Sequence, residues 1–239
     1  MNTPQVSIGD VLTRTIQLYG KHLGLLIGMG AVLFVPSGLL QALGNQAGIF
    51  GSLLGSVVAA VATAVFTGAV VRVVQAEDAG HDPGSIGEIF SSVGDRIWPL
   101  IWVGIIAGLA TAVGLVLLVV PGLILMTIWA VYQPVIVVEG VSIDSLSRSR
   151  ELVKGNGWNV FGLIVVVFLL SLAISIIAGA LGAGLGGLVG IVIISIILSI
   201  LLLPIAGLIH AVLYFTLAGH DAPQATQPPP PAPPAVPQV

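Results

Sequence analysis

The 239-residue chain is 56% hydrophobic and only 7% charged, whereas about 25% of the residues in an ordinary soluble domain are charged. Its net charge of −3 comes from seven basic and ten acidic residues that are scattered along the sequence, which excludes the massed basic surface of a nucleic-acid-binding protein. The absence of cysteine excludes disulfides, thiolate nucleophiles and cysteine metal sites. Lipid is therefore the expected solvent for most of the surface.

The N-terminal segment is predicted to be an amphipathic helix. At about 100° per residue, most of the apolar residues of 8–19 share one helix face, whereas Arg14 and Lys21 lie on the other. Such helices typically lie in the membrane interface. The apolar run that follows, 23–43, is longer than the core of about 7–15 residues in a secretory signal, so we expect a retained transmembrane helix.

Apolar runs long enough to cross a bilayer, which takes about 20 residues of helix, recur along the whole chain. They occupy residues 23–43, 50–74, 98–120, 121–139, 158–179 and 188–217. Only Pro121-Gly122 divides the third run from the fourth, and Pro134 interrupts the fourth, so we expect a bent hairpin there. The sequence therefore predicts six transmembrane helices.

The basic residues predict the orientation of these helices, because Lys and Arg in short loops stay preferentially in the cytoplasm. They all precede the first span or flank the second and fourth connections: Arg14, Lys21, Arg72, Arg96, Arg148, Arg150 and Lys154. The alternate connections, around 44–50, 121–122 and 179–187, carry no charge. We expect the N- and C-termini to be cytoplasmic and the outer face to consist of tight, uncharged turns.

A short pattern recurs before each odd-numbered span. It occupies residues 7–12 and 85–90 and, more loosely, 142–146. The first two copies open with Ser-x-x-Asp/Glu, which predicts a capping box at the start of a helix. The predicted fold is an all-α integral membrane protein of six transmembrane helices. These form three repeats of an interfacial amphipathic helix and a transmembrane hairpin, over about 7–82, 85–140 and 142–221.

The C-terminal segment differs in composition from the membrane domain at 1–221. Residues 222–239 are rich in proline, including the run 228–231, and they hold too little apolar surface to bury. We expect a disordered cytoplasmic tail. It is either a solvated end or a docking segment for a protein partner.

The spans offer little that resembles a catalytic or ion-transport site, because their central thirds contain no Asp, Glu, Lys or Arg. The polar side chains that remain are hydroxyls and amides, such as Thr63, Thr67, Thr111, Ser171, Ser175, Ser195 and Ser199. Such hydroxyls either bond between packed helices or line a polar path. The pairs His81-Asp82 and His220-Asp221 fit a polar helix-ending turn better than a metal site. We expect no catalytic residues, no cofactor and no metal.

The third amphipathic segment carries the clearest candidate site. In the register of the first two copies, Arg150 and Lys154 fall on the face that is apolar in those copies, which places the two cations toward the bilayer or the bundle. One interpretation is snorkelling, with the charges reaching the headgroup level. The other is an anionic lipid headgroup site built from Arg148, Arg150 and Lys154, with Trp158 as an interfacial anchor.

Residues 121–163 contain a distinctive pattern of prolines, glycines and polar residues. It consists of Pro121-Gly122, Pro134, Glu139-Gly140, Ser149, Leu152, Lys154-Gly155, Trp158 and Gly162. This pattern resembles the bacterial glycerophosphoryl diester phosphodiesterase membrane domain and the related YciC-like multi-pass membrane proteins. The resemblance extends loosely over about 5–220. It implies a six-helix module of the bacterial cytoplasmic membrane, without phosphodiesterase activity, since that chemistry belongs to a soluble part of the fused relatives.

The sequence thus favours a non-catalytic membrane module that binds anionic lipid or a partner at its cytoplasmic face. A transporter or channel for a small or lipid-like solute is the alternative, and it would require a polar lumen between the hairpins. The ligand, the protein partner and the oligomeric state stay open.

Overall fold

The computed structural model describes residues 6–185 and 187–221, apart from the side chains of residues 183, 188, 220 and 221. This part of the chain contains helices and no strands. The helices are α1 (Ile8–Lys21), α2 (Leu23–Gln46), α3 (Gly48–Asp78), α4 (Ile86–Val93), α5 (Ile97–Leu117), α6 (Val119–Ile128), α7 (Tyr132–Glu139), α8 (Asp144–Val153), α9 (Gly157–Gly184) and α10 (Leu188–Asp221). The predicted tail at 222–239 lies outside the described residues.

Six stretches of this structure are long and apolar enough to cross a membrane, which confirms the prediction of an all-α protein with six transmembrane helices. Four of them are α2, α3, α9 and α10, one is the continuous helical stretch Ile86–Leu117 that contains α4 and α5, and the remaining one is made of α6 and α7 together. The division into three repeats remains a prediction. Large apolar side chains lie exposed along most of these helices, as expected where lipid replaces water.

Helix α3 lies at the centre of the bundle. In its apolar stretch 61% of the residues are buried, against 17% in the spans that contain α5, α9 and α10. Its side chains Phe66 and Val70 are fully buried, together with Met29 of α2, Leu100 of α5 and Leu208 of α10. Burial of such side chains contributes about 1.5–3 kcal/mol each in water, whereas in lipid the same contacts act through close packing.

The turn between α5 and α6 is at Leu118, whose backbone is extended, and not at Pro121-Gly122, where the sequence had suggested the boundary. Pro121 is instead the third residue of α6. The first turn of a helix leaves its N–H groups unbonded, so a proline is tolerated there. Gly122 is buried against Leu115 of α5 with no room for a Cβ, which explains how the two helices approach each other.

The short helices begin in different ways. The Ser85 hydroxyl accepts a hydrogen bond from the Glu88 backbone, and the Glu88 carboxylate accepts one from Ser85, so the predicted capping box is present in α4. Ser7 caps α1 by accepting from Asp10. Helix α8 has no side-chain cap and begins at Asp144.

Polar contacts at one end of the bundle join α1 to the last turn of α3. Arg14 pairs with Asp78, and Glu77 pairs with both Lys21 and His22. We call this end, which comprises α1, α4, α8 and the final turns of α3 and α7, the charged end. Burial raises the pKa of Tyr19, whose neutral hydroxyl donates to the carbonyl of Leu201 at 2.7 Å and fixes α1 against α10.

Candidate functional site

The four residues proposed from the sequence lie along α8 and the start of α9, but they do not form one cluster of free cations. The Nε of Arg148 is 3.3 Å from Oε1 of Glu139, and its Nη1 is 3.6 Å from Oε2 of Glu151. The hydroxyl of Tyr214 on α10 donates to the same Glu139 oxygen at 3.0 Å. Arg148 is therefore an internal partner that ties α7, α8 and α10 together.

Arg150 and Lys154 differ from Arg148, because both are exposed and neither makes an ion pair with any described residue. The side of α8 that faces the bundle consists of Ser145, Ser149, Leu152 and Val153. The sequence register had placed the two cations toward the bilayer or the bundle, and their exposure contradicts the bundle alternative. The two cations are four residues apart, so they are neighbours on the exposed side of the segment.

A groove opens between α6 and the start of α9, with a cavity volume of about 590 Å³. One wall is a single face of α6, formed by Val120, Leu123, Ile124, Thr127 and Ile128, and the other wall is formed by residues 155–159 and Phe161. We call this space the α6–α9 groove. Trp158, which is 86% exposed, stands in its lining, and Lys154 directly precedes the lining residue Gly155.

The turn at 155–156 shapes this end of the groove. Gly155 has φ +90°, a backbone conformation that glycine adopts without steric cost. The next residue, Asn156, is buried, and its side-chain oxygen accepts a hydrogen bond from the backbone N–H of Val6 at 2.9 Å. The segment before α1 is thereby fixed to the turn between α8 and α9. No periodicity or motif predicts this bond between residues 150 positions apart.

The side chain of Ser149 contacts the backbone where the fourth span is interrupted between α6 and α7. The backbone leaves helical geometry between α6 and α7, around Trp129 and Val131. The Ser149 hydroxyl accepts a hydrogen bond from the N–H of Val131 at 3.2 Å and donates one to the carbonyl of Ile128 at 2.9 Å. Within the bilayer an unpaired backbone group is costly, so this buried serine stabilises the break.

Pro134 accounts for the position of that break. It is the third residue of α7, and it has no N–H with which to continue the hydrogen bonding of α6 into α7. At the other end of α7, Gly140 ends the helix with φ +74°, the left-handed conformation common after helices. Among the residues behind the family resemblance, Pro121, Gly122, Pro134, Glu139, Ser149 and Gly155 thus all have structural explanations.

The hydroxyls inside the spans mostly bond within their own helices. Thr63 donates to Ala59, Ser171 to Val167 and Ser175 to Ser171, which is the usual back-bonding of hydroxyls in helices. The packing interpretation of the sequence had suggested bonds between neighbouring helices. The three bonds lie within single helices instead. Thr63 also lines a second cavity, of about 390 Å³, between α3, α5 and α7, together with Tyr132 and Gln133.

Two of the histidines, His22 and His210, have separate partners. No group of three or more His, Asp or Glu side chains within 6–185 and 187–219 has a metal-binding arrangement. His22 pairs with Glu77, and Nδ1 of His210 lies 2.8 Å from the carbonyl of Ala206, to which it must donate. A metal site between His81-Asp82 and His220-Asp221, the alternative that the sequence disfavours, would involve the side chains of residues 220 and 221, which lie outside the described part.

Comparison with known proteins yields no relative for this chain. No family model, no curated protein and no solved structure matches it. The resemblance to the bacterial membrane-domain family therefore remains a prediction from the pattern at 121–163.

Proposed function

We propose that this protein is a non-catalytic membrane module that holds an anionic phospholipid in the α6–α9 groove. The observation that supports the proposal is the juxtaposition of an apolar groove with two unneutralised cations. Val120, Ile124 and Ile128 offer an apolar wall. Lys154 directly precedes the lining residue Gly155, Arg150 lies four residues before Lys154, and neither has a carboxylate partner in the described structure.

An anionic phospholipid matches both parts of this surface. Its acyl chain would lie along the α6 face of the groove, because an apolar wall suits an apolar ligand. Its phosphate would be attracted by Arg150 and Lys154, since each cation near an anionic headgroup is worth about 1 kcal/mol. Trp158 would lie beside the headgroup, at the depth where exposed tryptophans are enriched.

The proposal includes an orientation in the membrane. We infer that the charged end faces the cytoplasm of a bacterial cell, because the seven basic residues fall before the first span or beside the second and fourth connections. In that orientation the 155–159 end of the groove, at the start of α9, lies toward the cytoplasmic leaflet, where anionic lipids give a negative surface potential. The Pro-rich segment 222–239 would then be available in the cytoplasm to a protein partner.

Native mass spectrometry of the purified full chain tests the lipid proposal. The protein is reconstituted in a mixture of phosphatidylglycerol and phosphatidylcholine, and the lipids that remain bound are identified. We expect selective retention of phosphatidylglycerol by the parent, reduced about tenfold in the double variant R150Q/K154Q, because two charge-assisted contacts are lost. The variant I124W should lose the same lipid through filling of the groove, with all charges unchanged.

Arg148→Gln is the matched control for this experiment. It removes one base from the same helix, but that base already has Glu139 and Glu151 as partners. We expect R148Q to retain phosphatidylglycerol like the parent. Equal retention by the parent, R150Q/K154Q and I124W would disprove the site. A loss of lipid in R148Q as large as in R150Q/K154Q would show that lipid retention follows the net charge of the protein and not these two residues.

A conduit for a small solute is the second candidate, and the cavity lined by Thr63, Tyr132 and Gln133 is the observation that favours it. Since the chain has no cysteine, single cysteines at Thr63 and Gln133 provide clean labelling sites. A water-soluble maleimide that reaches both positions from opposite sides of a proteoliposome would support a conduit. Complete protection of both positions would contradict it.

A further inference from the structure

Helices α3, α5 and α7 meet closely at Gly68 of α3, and none of the residues at this junction lines the α6–α9 groove. A Cβ on Gly68 would be 3.2 Å from the Leu100 side chain on α5 and 3.4 Å from the Val137 side chain on α7. This junction fixes the relative positions of the residues one turn further along each helix.

Two arginines lie one turn beyond this junction, at the charged end. Arg72 follows Gly68 by four residues on α3, and Arg96 precedes Leu100 by four residues, just before α5. Since both helices meet at Gly68 and run in opposite directions along the chain, these offsets bring the two arginines to the same level. Two positive charges at the same level repel each other.

The partners of both arginines are uncharged. Arg72 donates to the Gln75 side chain at 2.8 Å and to the carbonyl of Ser92 at 3.4 Å, while Arg96 donates to the carbonyl of Gly140 at 3.1 Å. In the described part of the chain neither arginine has a carboxylate within ion-pair distance. The basic residues on α1 and Arg148 on α8, in contrast, each have at least one carboxylate within ion-pair distance.

One donor of the pair is also left unused. The Nε of Arg72 is buried and has no hydrogen-bond acceptor, although a buried donor without a partner costs about 1–3 kcal/mol. Both arginines are only partly exposed, so water screens their repulsion incompletely. A bound anion would satisfy the free N–H groups and neutralise the charge together.

We propose that Arg72 and Arg96 form a binding site for a phosphate-type oxyanion, which we call the arginine pair. A guanidinium presents its N–H groups as a planar fork that matches two oxygens of a phosphate. The ligand is either the headgroup phosphate of a membrane lipid or a free phosphate from the aqueous phase. This site is separate from the α6–α9 groove, and it does not depend on the function proposed for that groove.

Phosphate titration and lipid retention, both with the full chain, distinguish the two sources. In nanodiscs of phosphatidylcholine, inorganic phosphate is titrated at constant ionic strength against chloride while the thermal unfolding midpoint is recorded. In a second arm, nanodiscs that contain phosphatidylglycerol are analysed for retained lipid by native mass spectrometry. A saturable rise of the midpoint with phosphate indicates a free anion, and retained phosphatidylglycerol indicates a headgroup.

We expect whichever signal the parent shows to weaken about tenfold or more in R72Q/R96Q, because at least two charge-assisted hydrogen bonds are lost. The variant R14Q removes a basic residue of the same type that already has Asp78 as its partner, so it should bind like the parent. The lipid signal of the arginine pair should also survive in R150Q/K154Q, which separates a failure of this site from a failure of the groove.

A conservative variant covers the case in which R72Q/R96Q does not fold. R72K/R96K keeps both charges but lacks the planar fork, and we expect it to bind phosphate or phosphatidylglycerol about tenfold more weakly than the parent. Parent-like binding by R72K/R96K would overturn the proposed bidentate site. A parent that shows neither a phosphate-dependent midpoint nor retained lipid beyond that removed by R150Q/K154Q would overturn the arginine pair altogether.

Discussion

The two ends of the bundle are held together by different means. At the charged end, side chains make specific bonds between helices, such as those from Arg14 to Asp78 and from Tyr214 to Glu139. At the opposite end, the hairpins close through backbone contact between glycines on their two arms. These glycine pairs are Gly44 with Gly51, Gly114 with Gly122, and Gly182 with Gly190.

This difference follows from the chemistry available at each end. The connections at the glycine end contain no charged residue, so only van der Waals contact and backbone approach remain to join the helices. The charged end can use long polar side chains, which tolerate small shifts of the helices that carry them. Substitutions at the glycine end should therefore lower the free energy of unfolding strongly through steric overlap. Substitutions at the charged end should lower it less, through the loss of single polar contacts.

Gly44→Ala should produce the largest effect. A Cβ at this position would overlap the backbone oxygen and carbonyl carbon of Gly51, and neither atom can move without displacing α3. We expect a loss of about 3 kcal/mol in the free energy of unfolding, the upper part of the range for overpacking. Reversible unfolding of G44A and the parent in mixed detergent micelles measures this difference in free energy.

Gly24→Ala is the matched control on the same helix, since a Cβ at Gly24 would meet no atom within 4 Å. We expect its stability to stay within about 0.5 kcal/mol of the parent, as at other unconstrained positions. Equal stabilities of G44A and G24A would contradict the steric account of the glycine end.

Ser149→Ala should have an intermediate effect, at the break between α6 and α7. The substitution leaves the N–H of Val131 and the carbonyl of Ile128 without the serine hydroxyl, and we expect a loss of about 2 kcal/mol in unfolding free energy. The neighbouring variant S147A removes an exposed hydroxyl that bonds only to Asp144 of its own helix. A loss in S147A equal to that in S149A would show that the break does not depend on Ser149.

Length and hydropathy were sufficient to predict the six spans. The predicted run 50–74 corresponds to α3 at Gly48–Asp78, and the run 158–179 corresponds to α9 at Gly157–Gly184. The physical reason is that a bilayer demands a long apolar helix whatever its partners are. The prolines predicted the two breaks to within a few residues, since Pro121 and Pro134 each lie in the first turn of the helix that follows a break.

The candidate site was harder to predict because it depends on the register of one short helix. The sequence pattern assumed that α8 begins directly after Ser142, as α1 and α4 begin after Ser7 and Ser85. Without a side-chain cap, α8 begins at Asp144 and buries two serines, one of which serves the helix break. Contacts between residues that are distant in sequence, such as the bond from Val6 to Asn156, cannot be predicted from the helical periodicity of the sequence.

Arg14→Gln should produce the smallest effect, because the ion pair of Arg14 with Asp78 is partly exposed to solvent. Exposed pairs contribute about 1 kcal/mol or less, and screening shortens their range from about 10 Å at 0.1 M salt to about 3 Å at 1 M. We therefore expect R14Q to lose less than about 1 kcal/mol at low salt and almost nothing at 1 M salt. A double-mutant cycle with D78N isolates the pair. A coupling energy that is unchanged at 1 M salt would contradict this expectation. It would mean that the contact between Arg14 and Asp78 is as specific a requirement for the charged end as Gly44 is for the glycine end.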